Sequence, residues 1–114
     1  MDISFKRKKL EKIFNSEAKL NQAYGLQRVK KIKRLMTELH AAETLGEFYP
    51  PNSKPHRCHE LKGDAKGTFS FDLDHPHRLI VEPNHETIPR KNDGSIDWHA
   101  ITAITILEVR DTHG

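Results

Sequence analysis

His59, Lys62, Lys66 and Arg78 lie within one short stretch of the chain and together could act on a phosphodiester. Attack of a ribose 2′-hydroxyl on its neighbouring phosphate needs a base for the hydroxyl and an acid for the leaving 5′-oxygen. It also needs cations for the charge that builds on the phosphate. Histidine titrates near neutrality and suits either proton-transfer role. Lys62 and Arg78 suit the phosphate, and arginine has the geometry for a bidentate contact. His113, near the end of the sequence, could join them if the last strand pairs beside the others. Plainer roles compete with these: a hydrogen-bonded sheet histidine at 59, and an ion pair of Arg78 with Asp72 or Glu82.

Other chemistries fit less well. The chain has eight histidines, but the tight clusters, His56–His59 and His75–His77, lack a zinc-ligand spacing, and one cysteine cannot supply a typical structural site. No metal and no cofactor is expected. Cys58 and His59 alternate in a strand and face opposite ways, which argues against a Cys–His nucleophile. No glycine loop of the phosphate-cradling types is present.

The elements that must position these residues follow from alternation. Cys58, Glu60 and Lys62 fall on one side of a first run, His59 and Leu61 on the other. On a second run Phe69, Phe71 and Leu73 oppose Ser70, Asp72 and Asp74, and Gly63–Gly67 punctuate the loop between, so the pair predicts a β-hairpin. Asp74–His77 reads as a second turn and Arg78–Glu82 as a third strand. An ideal strand puts His59 and Lys62 on opposite faces, so they share a pocket only if the chain twists or bulges before Gly63.

Upstream, Asp2–Phe5 alternates weakly, as a short edge strand would, and Leu10, Ile13 and Phe14 recur at helical spacing. Ser16 reads as an N-cap for a helix running to Tyr24, with Gly25 ending it. A second helix, Leu26 to about Thr44, carries an apolar stripe of Leu26, Val29, Ile32, Leu35 or Met36, and Leu39. Downstream, residues 85–98 read as an exposed loop and Trp98 as the return to the core. Ile101–Val109 is rich in β-branched residues and reads as a central strand buried on both faces. One short strand, two helices and four strands predict an α+β fold, with two N-terminal helices packed on one face of a mostly antiparallel sheet.

At 114 residues the chain is expected to form a single domain, 1–114. No apolar run reaches the length of a membrane span, the N-terminus lacks a signal-peptide core, and a lone cysteine fits a reducing cytoplasm. Residues 1–36 hold eleven Lys/Arg against three Asp/Glu, a balance of +8, whereas residues 37–114 carry −5. A basic third on an otherwise acidic protein suggests an anionic partner, nucleic acid being the usual one.

Three segments, Arg57–Gly67, Asp74–Pro83 and Ile106–Gly114, together with the Leu10–Ala42 helices, resemble the HigB-type plasmid-maintenance killer proteins of the RelE/ParE toxin superfamily. The motifs are the run His59-Glu-Leu-Lys-Gly-Asp64, the arginine after the second turn and the terminal Asp111-Thr-His113. The resemblance implies two helices against a curved antiparallel sheet and metal-free, ribosome-dependent cleavage of mRNA by a cytoplasmic toxin. His59, Lys62, Arg78, Asp111 and His113 match the family's catalytic positions. On that reading His113 is general base with Asp111 supporting it, His59 is general acid, and the base and acid labels can be exchanged. The partners implied are a cognate antitoxin, a helix-turn-helix protein of the HigA type, the ribosome and its mRNA, with operator DNA reached only through the antitoxin and no membrane. Lys30, Lys31, Arg34 and Lys66 would contact RNA or the ribosome, unless the basic helices dock an acidic antitoxin segment. The terminal motif usually reads Asp-Tyr-His. Here Thr112 removes an aromatic that could stack on a base, worth roughly 1–3 kcal/mol. A gyrase-inhibiting ParE-like toxin, needing no catalytic histidines, and a degenerate toxin that only binds its antitoxin are the alternatives.

Overall fold

The computed structural model describes residues 1–111, so Thr112 and the expected base His113 lie outside the described residues. The chain runs β1 (Asp2–Phe5), α1 (Lys8–Phe14), α2 (Glu17–Tyr24), α3 (Leu26–Ala41), β2 (His59–Glu60), β3 (Phe69–Asp72), β4 (His77–Pro83) and β5 (Ala103–Asp111). Three helices replace the two expected. The Leu10–Ile13–Phe14 segment closes a short helix of its own, because the Asn15 N–H bonds back to the Glu11 carbonyl at 3.0 Å. Ser16 then starts α2, its hydroxyl accepting from the Lys19 N–H at 3.2 Å. Gly25, at φ 81°, ends α2 and opens α3, a backbone turn that an L side chain would resist. In α3, Val29, Ile32, Leu35 and Leu39 are buried as their spacing predicts, each contributing about 1.5–3 kcal/mol if it is otherwise exposed. Leu26 departs from the stripe at 69% exposure, being the first residue of the helix.

The five strands form one mixed sheet in the order β1-β5-β4-β3-β2, with β1 parallel to β5 and every other pair antiparallel. The hairpin pairs His59 with Ser70 and Glu60 with Phe69. Phe69, Phe71, Leu79, Val81, Ile104 and Ile106 share a core with the buried face of α3. β5 lies between two strands, as expected, but is not buried on both faces: Ile104 and Ile106 are buried while Thr105 and residues 107–110 are half-buried. The register explains why. Val81 opposes Ile106, yet Ile80 opposes Glu108, so Leu107 is the extra residue of a β-bulge. The bulge inverts the alternation, and beyond it Val109 faces the core while Glu108 and Arg110 face away.

Residues 85–98 are more ordered than an exposed loop. Arg90 bridges to Ile96, and Ile96 (3% exposed) and Trp98 are buried, Trp98 stacking edge-on against Phe69 with ring centroids 5.1 Å apart. Phe48 meets Phe71 in the same edge-on way at 5.3 Å. These segments close the core beside β3.

Candidate functional site

Directly opposed residues on neighbouring strands point to the same side of a sheet. On the face turned away from the helices, Asp72 opposes Arg78 and Arg78 opposes Arg110, while Ser70 opposes Ile80, which opposes Glu108. His59, opposite Ser70, begins this second row. Ser70 and Ile80 are buried and make a floor between charged neighbours. His59 and Arg78 are thereby brought to one face, in adjacent rows.

Asp72 sits between two arginines. Arg78 Nη1 is 3.4 Å from its Oδ1, and Arg57 Nε is 3.7 Å from its Oδ2. Asp72 Oδ1 is buried with no hydrogen-bond partner among the described residues, so its attraction to Arg78 is one of charge. The expected alternative role of Arg78 as a partner of Asp72 is thus real, and it coexists with exposure of the side chain. Arg110 is paired within its own strand to Glu108 at 2.8 Å. That hydrogen bond, aided by the nearby Arg7 charge, holds the Glu108 carboxyl below its usual range.

His59 is half-buried, and its Nδ1 lies 2.9 Å from the carbonyl of Arg57. A carbonyl only accepts, so Nδ1 carries the proton and Nε2 is the nitrogen left to exchange one. Arg57 itself has φ 49°, uncommon for a bulky residue, and its N–H donates to the Ser53 carbonyl at 2.8 Å. Cys58 points into the core, where burial pushes its thiol far up, and takes no part.

The other expected site residues are distributed. Lys62 precedes a 3₁₀ turn at Gly63–Ala65, and with Glu60, Leu61, Gly63 and Lys66 it lines a groove of about 390 Å³ at the hairpin tip, a lining without His59 or Arg78. The tip is tied by the Gly67 N–H donating to the Glu60 carboxylate at 3.0 Å. Asp111 opposes His77 on the other side of the pleat from Arg78, with His77 Nε2 3.7 Å from Asp111 Oδ2. On α3, Arg34 pairs with Glu38 at 3.3 Å, whereas Lys30 and Lys31 are exposed and make no ion pair among the described residues. Among those residues no three His, Cys, Asp or Glu side chains are grouped to hold a metal ion.

Two residues of this face escaped sequence reasoning. Arg57 stands just before β2 with φ 49°, and its place beside Asp72 depends on that left-handed turn, which strand alternation does not signal. Arg110 carried no signal either, since its orientation depends on the bulge at Leu107.

No protein-family model and no curated protein matches the chain. Among solved structures, a YoeB/ParE toxin from Agrobacterium tumefaciens superposes with a TM-score of 0.54 at 14% identity, over 97% of this chain and 98% of that one. The chain is similar to that toxin in fold.

Proposed function

We propose that this chain is the toxin of a type II toxin–antitoxin module and acts as a ribosome-dependent mRNA endoribonuclease of the HigB type. One observation carries the reading. An imidazole with one nitrogen pinned by a backbone carbonyl lies on the same sheet face as an arginine that meets its counterion by charge rather than by an aligned hydrogen bond. A fixed proton-transfer group beside a phosphate-binding cation is what cleavage through the 2′-hydroxyl requires. The fold shared with a YoeB/ParE toxin supports the toxin assignment.

In this reading His59 Nε2 gives a proton to the leaving 5′-oxygen. Arg78 holds the phosphate, Lys62 reaches toward the RNA from the hairpin tip, and His113 removes the 2′-hydroxyl proton. Exposed Lys30, Lys31, Arg34 and Lys66 contact ribosomal RNA. A helix-turn-helix antitoxin of the HigA type is the expected partner, and the cytoplasm the expected compartment.

The test is controlled induction of the wild type and of His113→Ala, with mapping of mRNA 5′ ends. New ends inside coding regions that depend on translation and vanish in the variant support the reading. Growth arrest without new ends points to gyrase or another target. Neither arrest nor cleavage indicates a toxin retaining only antitoxin binding.

A further inference from the structure

We propose that Arg57, Arg78 and Arg110 form one row that binds the phosphodiester backbone of single-stranded RNA running across the strands. Asp72 is an internal counterion that occupies the row until RNA displaces it. The inference rests on the ribonuclease reading of this face and adds to it the path of the substrate.

Three observations lead there. Arg78 and Arg110 are directly opposed on neighbouring strands, and like charges so placed destabilise a sheet unless an anion lies between them or beside them. The acids present satisfy them only in part. Glu108 is bonded to Arg110 from its own strand, while Asp72 attracts both Arg57 and Arg78 from beyond hydrogen-bond alignment. The second observation is Arg57, a bulky residue held at φ 49°, which aims its carbonyl at His59 and its guanidinium at Asp72. A sparsely populated backbone conformation persists where the surroundings enforce it, and such positions cluster at functional sites. The third is exposure. The side chains of Arg57, Arg78 and Arg110 are 55%, 29% and 41% exposed, enough to meet a ligand from solvent.

With strands about 4.8 Å apart, the row from Arg57 across β3 and β4 to Arg110 extends about 14 Å. That length takes more than one phosphate. His59, in the adjacent row, then faces the ribose-phosphate segment held between Arg57 and Arg78. A carboxylate between two guanidiniums imitates a phosphate oxygen pair, so the free protein holds its arginines in place without a ligand.

The test uses a fluorescent single-stranded RNA carrying 2′-O-methyl riboses, which can be bound but not cleaved, with affinity followed against salt concentration. Each phosphate contact on a single strand contributes about 0.7 to the slope of log K against log salt. Arg57→Gln and Arg110→Gln are each expected to lower the slope by about that amount and weaken binding about tenfold at low salt. Asp72→Asn is expected to tighten binding several-fold. Arg57→Gly, which keeps the left-handed backbone, is the substitute if the glutamine variant does not fold. Unchanged slopes in both arginine variants overturn the row. So does failure of the wild type to bind this RNA, or tighter binding of a DNA duplex of the same length. Weaker binding by Asp72→Asn overturns the counterion. Because cleavage is not measured, a negative result here leaves the 5′-end test of the ribonuclease standing, and a failed cleavage test leaves these slopes standing.

Discussion

The Nδ1 of His59 donates to the carbonyl of Arg57 at 2.9 Å, and that carbonyl is aimed by a backbone at φ 49°. The relationship separates two functions of residue 57, since the carbonyl belongs to the backbone and the guanidinium does not. Arg57→Gly is expected to keep the His59 contact, because glycine adopts positive φ freely. It relieves a left-handed strain of roughly 1–2 kcal/mol but loses more chain entropy on folding. The melting temperature should therefore move by only a few degrees. Arg57→Pro is expected to prevent folding or lower the melting temperature sharply, since it fixes φ negative and removes the N–H that donates to Ser53.

His59→Ala should cost about 10²–10⁴ in cleavage rate if the imidazole transfers a proton. The side chain is half-buried and its hydrogen bond goes to a carbonyl near solvent, so thermal stability should change little. Single-turnover cleavage of ribosome-bound mRNA, paired with a melting curve, measures both. A rate within twofold of wild type would remove His59 from the chemistry.

Gly46 lies against His99. A Cβ added there would fall 2.5 Å from the His99 ring carbon Cδ2 and 2.9 Å from its backbone Cα. Backbone cannot swing aside, so Gly46→Ala is expected to destabilise by about 1–3 kcal/mol, seen as a lower urea midpoint. Gly63→Ala meets no atom within 4 Å but must adopt φ 65°, so its cost is conformational.

The contact between Glu38 on α3 and His56 in the loop before β2 is expected to weaken in acid. Glu38 accepts from His56 Nε2 at 2.8 Å and from Arg34, and the His56 bond is the main reason its carboxyl titrates below the usual range. A carboxyl whose folded pKa is depressed adds stability above its unfolded value of about 4.3. That stability is lost as pH falls through the folded value. Wild-type melting temperature should therefore decline on acidification below about pH 4.3, and Glu38→Gln should flatten this decline. An identical pH profile in the variant would exclude Glu38 as a source of acid lability.

Removing core volume should be costly where the sheet and α3 meet. Leu35 is fully buried, and Leu35→Ala is expected to cost about 2–5 kcal/mol, visible in chemical denaturation.

Much of this architecture is carried by local pattern. The period-two runs around Gly63 and Gly67 specify the hairpin and its register, because one slipped residue would turn Phe69 and Phe71 to solvent. Ser16 specifies a helix start through a hydroxyl that satisfies an otherwise orphaned N–H, and the Val29–Leu39 stripe specifies which face of α3 is buried. Trp98 marks the return to the core. The composition of the polar face, by contrast, depends on how the strands dock. Strict alternation from Ile104 and Ile106 would send Glu108 and Arg110 into the core, and the bulge at Leu107 reverses them. A bulge is fixed by how two strands dock and leaves no period in the sequence. The same holds for the parallel pairing of β1 with β5, for Asp111 opposing His77 rather than joining Arg78, and for the left-handed turn at Arg57. Side-chain type and spacing selected the candidates, but strand register, a long-range property, determined which of them share a surface.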